Sequence, residues 1–94
     1  PGYANAIEEF DKRLPEILKL TGDNDLLLIT ADHGCDPTWK GTDHTREHVP
    51  ALFFSKKVSS KNLGFLSTFS DMGATISNHL KTPALKNGVV CNLW

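Results

Sequence analysis

The sequence predicts an α/β fold with a mainly parallel sheet flanked by helices. Three observations carry that expectation: an amphipathic stripe of helical period opens the chain, a short and continuously apolar run follows it, and a second helical stripe comes after another apolar run. A helix joined by a polar turn to a strand without alternation describes an αβ unit. A strand that is apolar on both faces has to be covered on both.

In the first element, Tyr3, Ile7, Phe10, Leu14 and Ile17 recur at spacings of four and three, so they share one face of a helix. Glu8, Glu9, Asp11, Lys12 and Arg13 lie mostly off that face, and the stripe is expected to pack against a core. Pro15 removes one backbone hydrogen bond, at a cost of roughly 3 kcal/mol. We therefore expect a kink or break near Leu14 and a stop around residues 20–22. Thr21, Gly22, Asp23, Asn24 and Asp25 make a turn, and Leu26, Leu27, Leu28 and Ile29 make the first strand, covered on both faces.

Residues 34–47 have neither period and contain Asp36, Pro37, Thr38, Gly41, Thr42, Asp43 and Thr45, the composition of a long polar loop. A loop of that length inside a small domain is a place to look for function. A second strand is expected over residues 49–55, with Pro50 near its start where a missing N–H is tolerable. Ser70 or a neighbour then caps a second helix, whose Phe69, Met72, Ile76 and Leu80 form a core-facing stripe ending before Pro83. The last residues admit a short strand at 88–91. No repeat, linker or low-complexity segment interrupts this order.

A chain of 94 residues is enough for one small domain, able to bury roughly two-thirds of its unfolded surface. Hydrophobic residues make up 39% and charged residues 22%, an ordinary balance for a globular protein. The net charge of -1 leaves no electrostatic footprint for nucleic acid or an acidic membrane as partner, and Lys56, Lys57 and Lys61 read as a solvated loop. With no apolar stretch of membrane-spanning length and no signal-peptide pattern, a cytoplasmic protein is the expectation. Cys35 and Cys91 form no redox motif and are read as reduced thiols. The first residue, Pro1, suggests a processed or truncated chain.

The chemistry concentrates at the end of the first strand. Asp32 and His33 deliver a carboxylate and an imidazole side by side, a glycine follows, and His44 returns eleven positions later across the polar loop. Carboxylate oxygens combined with imidazole nitrogens suit Mn, Zn or Fe rather than a thiolate-rich structural site. The structural alternative for each histidine is a hydrogen-bonded loop residue. A rival motif overlaps this one, because His44, Thr45, Arg46, Glu47 and His48 spell H-x-x-E-H, the inverted zinc-protease pattern that requires a helix. Pro50, Gly41 and Thr42 oppose a helix there, and no acidic residue stands between His48 and Asp71 to complete a site.

The wording of the whole segment, Thr30-Ala31-Asp32-His33-Gly34-Cys35-Asp36-Pro37-Thr38-Trp39 and then Thr42-Asp43-His44-Thr45-Arg46-Glu47, closely resembles the signature of the phosphopentomutases of the alkaline phosphatase superfamily. The likeness extends to Gly2-Tyr3 with the Glu8-Glu9-Phe10-Asp11 helix, and to residues 67–76, and fades beyond about Leu80. It implies that residues 1–94 are the C-terminal portion of an alkaline-phosphatase-like metal-binding core domain. It also implies that Asp32 and His33 bind one metal of a two-metal centre and His44 the other, with manganese the usual ion. The reaction implied is the interconversion of ribose 1-phosphate and ribose 5-phosphate, and of their deoxyribose analogues, through a phosphothreonine and primed by a sugar bisphosphate.

The family's remaining metal ligands, its nucleophilic threonine and its cap domain have no counterpart here. The resemblance therefore implies that the rest of a parent polypeptide is needed and that these residues alone are inactive. Around the ligands, Asp36 and Asp43 either accept a hydrogen bond from a ligand histidine or cap the loop. Arg46 either meets a phosphate through its planar fork or forms a structural ion pair. Thr42 and Thr45 are turn residues, and His48 and His79 are surface or core histidines. A phosphoglycerate mutase or phosphatase of the same superfamily, and a non-catalytic metal-binding domain, remain open alternatives.

Overall fold

A computed structural model describes residues 1–94. The first stripe folds as α1 (Gly2–Leu20), which runs through Pro15 without a break. Proline at that position deletes only the bond to the Asp11 carbonyl, and the ladder resumes on either side. The expected break near Leu14 is absent, whereas the stop falls where the turn residues begin. There Thr21 closes the last turn, its N–H donating to the Leu18 carbonyl at 3.2 Å and its hydroxyl to the Ile17 carbonyl at 3.0 Å.

No residue of α1 is buried. Tyr3, Ile7, Phe10 and Ile17 stay exposed on the stripe, contrary to the expectation of core packing. The reason is that no other element of the chain lies against them: β1 (Leu27–Thr30) and β2 (Ala51–Phe54) are the only two elements that pack extensively together.

These strands pair antiparallel, with Leu27 opposite Phe54, Leu28 opposite Phe53, Ile29 opposite Leu52 and Thr30 opposite Ala51. The chain itself thus forms a two-stranded antiparallel sheet, not the mainly parallel one expected. A parallel partner needs a crossover connection, and the segment joining these strands instead returns directly as a long hairpin loop. β1 is only half-buried for the same lack of neighbours. β2 begins after Pro50, whose ring and missing N–H keep residues 49–50 out of the ladder.

The second stripe folds as α2 (Ser70–His79), ending ahead of Pro83 as expected. Its C-terminus closes by a Schellman arrangement: Thr82 N–H donates to the Ser77 carbonyl and Lys81 N–H to the Asn78 carbonyl, both at 3.1 Å, with Lys81 left-handed at φ 57°. Ser70 caps nothing. Instead Asp71 reaches back from the first turn to the amides before the helix.

Of the expected stripe only Met72 is buried, while Phe69, Ile76 and Leu80 are exposed. The covered face of α2 is Asp71, Met72, Ala74, Thr75 and Ser77, because the C-terminal run lies along it. That run forms no strand at residues 88–91. Val89 N–H donates to the Asp71 carboxylate and Cys91 N–H to the Thr75 hydroxyl, each at 2.9 Å. A small core of Met72, Ala74, Cys91 and Leu93 results. Both cysteines are free, Cys35 exposed and Cys91 buried. No helix is long and apolar enough to cross a membrane.

Candidate metal centre

The loop between β1 and β2 is closed by an isolated antiparallel bridge between Gly34 and Thr45. Closure at that point requires glycine. A Cβ on Gly34 would meet the Glu47 backbone nitrogen at 2.6 Å and its carbonyl oxygen at 2.7 Å. Asp32 and His33 leave β1 immediately before the bridge on one arm, and His44 precedes it on the other. The two imidazole rings consequently face each other with centroids 3.7 Å apart and planes inclined by 31°.

His33 is oriented by its own loop. Its Nδ1 lies 2.7 Å from the Gly34 carbonyl oxygen. A carbonyl can only accept, so the proton is on Nδ1 and the neutral ring keeps its lone pair on Nε2. That Nε2 stands 3.6 Å from Asp32 Oδ1, beyond hydrogen-bond range, and Asp32 is almost fully exposed. A carboxylate oxygen and an imidazole lone pair converging without a bond between them form a donor pair suited to a divalent first-row ion.

The donor chemistry fits a metal, but the set is open. No three His, Cys, Asp or Glu side chains of the chain are grouped so as to hold an ion. Asp32, His33 and His44 are brought to one end of the sheet without being closed around a common point.

Asp36 is engaged within the loop. Its Oδ1 accepts from the Thr38 hydroxyl at 2.6 Å and the Thr38 N–H at 2.9 Å, and these bonds, the hydroxyl first, hold its carboxyl below the ordinary value. The Asp36 N–H donates to the Thr45 hydroxyl at 2.9 Å, which ties this turn to the bridge. Asp43 is exposed and accepts no hydrogen bond from either histidine. Arg46 is exposed and forms no ion pair; the one ion pair made by a Lys or Arg side chain is Arg13 with Glu16. Residues 44–48 form no helix, so the H-x-x-E-H spacing does not put both histidines on one face.

Beside the donors lies a cleft of about 510 Å³. Asp32, His33, Arg46 and Glu47 line it, together with Ser67 and Thr68, which belong to the segment before α2. Sequence reasoning missed that second wall and the part Asp71 takes in it. Thr68-Phe69-Ser70-Asp71 has the spacing of a capping box, an acid three residues after a hydroxyl ahead of an apolar run. Read that way, it would have pointed to Asp71.

An Asp-His-Gly turn at a strand end with a second histidine folded onto it has the donor types of a metal-dependent enzyme, and the comparison with known families agrees. Residues 1–84 match the family model of the Metalloenzyme superfamily, and the chain belongs to that superfamily. Among individual proteins it is similar to the phosphopentomutase of Psychromonas ingrahamii, with 59% identity over 88 residues, which are 94% of this chain and 21% of that protein. The phosphopentomutase of Vibrio cholerae is 55% identical over 87 residues, 93% of this chain and 21% of the relative. That of Photorhabdus laumondii is 52% identical over 88 residues, 94% of this chain and 22% of the relative. The chain thus spans about a fifth of the length of the curated relatives it matches.

Proposed function

We propose that this chain is part of the metal-binding core of a phosphopentomutase, which interconverts ribose 1-phosphate and ribose 5-phosphate, and their deoxyribose analogues, in the cytoplasm. The observation that carries the proposal is identity of 52–59% to proteins of that name across nearly the whole chain, Asp-His loop included. The folding of His33 onto His44 supports it at the level of geometry. The remaining metal ligands, the phosphothreonine, the cap and the strands of a mainly parallel sheet would come from the rest of a longer polypeptide.

In this reading Asp32 and His33 hold one divalent ion and His44 a second, manganese being the ion proposed. Such ions supply Lewis-acid neutralisation of charge on a transferring phosphoryl group. The Gly34 carbonyl fixes the His33 tautomer so that Nε2 is the ligating nitrogen. Arg46, free of any ion pair and lining the cleft, presents its planar fork to phosphate oxygens of the sugar phosphate or of the bisphosphate activator. Asp36 holds the loop through Thr38, and Asp43, next to His44 in the chain, would accept a hydrogen bond from it once the site is loaded.

The test uses the full-length protein. Wild type is expected to carry two divalent ions per chain and to convert ribose 1-phosphate, while 3-phosphoglycerate and simple phosphate esters are turned over far more slowly. Asp32→Asn and His44→Ala should each lose metal and activity together, by about a hundredfold or more in kcat/KM. Full metal content and turnover in both variants would sink the proposal, and preference for 3-phosphoglycerate would move the protein to a sister activity.

A further inference from the structure

The cleft has one wall whose placement depends on a residue outside it. Ser67 and Thr68 line the cleft with Asp32 and His33, but they lie in neither helix nor strand and have no ladder to hold them. Their amides instead converge on one carboxylate oxygen. Ser67 N–H and Thr68 N–H donate to Asp71 Oδ2 at 3.1 and 3.3 Å, and the Thr68 hydroxyl donates to Oδ1 at 3.3 Å.

The other oxygen faces a distant part of the chain. Oδ1 accepts the Val89 N–H at 2.9 Å, and a Cβ at Gly88, whose φ is +96°, would collide with the Ser70 carbonyl. The C-terminal run is therefore pressed against the start of α2 with its amide aimed at the same buried side chain. A carboxylate is needed for this. An amide offers an acceptor on one side only and turns an N–H toward donors on the other.

We propose that Asp71 is a positioning residue for the cleft, coupling the wall formed by Ser67 and Thr68 to the C-terminal run so that the wall stands at a set distance from Asp32 and His33. Capping α2 requires only the amides at its N-terminus. The Val89 bond adds a second anchor 18 positions away, so that the wall moves only if the run moves. That the wall meets a pentose phosphate rests on the function proposed above.

A neighbouring residue separates positioning from plain stability. Thr75 is also buried, donating its hydroxyl to the Asp71 carbonyl at 2.7 Å and accepting from Cys91 N–H, yet it hydrogen-bonds neither Ser67 nor Thr68. In the full-length protein, Asp71→Asn is expected to raise KM for ribose 1-phosphate about tenfold, with kcat changed less than about twofold. Metal content should be unchanged, and amide hydrogen exchange at residues 67–69 should be faster. Thr75→Val should lower the melting temperature and speed exchange near Cys91 while leaving KM and residues 67–69 as in wild type.

Unaltered exchange at 67–69 in Asp71→Asn, or an equal KM rise in both variants, would overturn the inference. Should Asp71→Asn fail to fold, Ser67→Pro deletes one donor and keeps the carboxylate; the same KM rise is expected, and an unchanged KM counts against positioning. If wild type leaves ribose 1-phosphate untouched, the proposed function fails on its own. Exchange at residues 67–69 then decides the role of Asp71 without reference to turnover.

Discussion

A methyl group at position 34 has no room, with the Glu47 backbone nitrogen 2.6 Å and its carbonyl oxygen 2.7 Å from where a Cβ would sit. Gly34→Ala should push the two arms of the loop apart, at about 1–3 kcal/mol of stability, and separate His33 from His44. We expect at least a tenfold weaker manganese affinity by calorimetric titration of the full-length variant, about the effect of losing an orienting contact; wild-type affinity would show that the bridge does not assemble the donors. Asp71 yields a second expectation. Its carboxyl is held below the ordinary value of 3.8, first by the Val89 N–H, with burial opposing and the Thr68 and Ser67 amides reinforcing. A depressed folded value contributes stability that is complete above the ordinary value and lost as pH falls through the lowered one. Thermal stability should therefore drop below about pH 4 in wild type, and the drop should be smaller in Asp71→Asn. Parallel melting curves for the two proteins from pH 6 to acid would contradict this reading. Asp32, His33 and His44 stood out in the sequence as candidate ligands because a strand end, a glycine and a returning loop are local features. Asp71 did not, since the partner that distinguishes it from an ordinary cap lies 18 positions on.

At the level of elements, the turn that closes α2 carries a residue that the left-handed region disfavours. Lys81 sits at φ 57° while donating to the Asn78 carbonyl, a position where glycine loses nothing. Lys81→Gly should stabilise by about 1 kcal/mol, read as a higher melting temperature; no gain would mean that the Lys81 side chain compensates. Elements were legible wherever period and breakers agreed. Both strands appear within two residues or so of the expected positions, and α2 stops ahead of Pro83. Pro15 misled because a single lost ladder bond does not end a helix of 19 residues. The α2 stripe misled differently, because the C-terminal run covers the face bearing Asp71 and Thr75, which hydropathy marks as outward.

The whole molecule is extended for its length. Its radius of gyration is 15.3 Å, where a compact chain of this size has about 12 Å. Ten of 94 residues are buried, and 34 hydrogen bonds join backbone groups, about half of what a self-contained domain of this length makes. The α1 stripe with Tyr3, Ile7, Phe10 and Ile17, and the open edges of a two-stranded sheet, present apolar surface and unpaired backbone to solvent. The 94-residue chain on its own should associate as concentration rises. Sedimentation equilibrium should show that association reduced by Ile7→Lys with Phe10→Lys; a monodisperse monomer for the unaltered chain would mean that these faces are not adhesive.

The order of the two helices and two strands and the stop of each helix followed from the sequence, because period and turn chemistry act over a few positions. Which faces are covered, how the strands pair and how the cleft acquires its second wall were decided only in three dimensions. Those outcomes depend on contacts between residues far apart in the chain, such as Leu27 with Phe54 and Asp71 with Val89, and on which neighbours exist to make them. An apolar stripe announces that a face wants a partner; only the tertiary structure shows that for α1 the partner is not among these 94 residues.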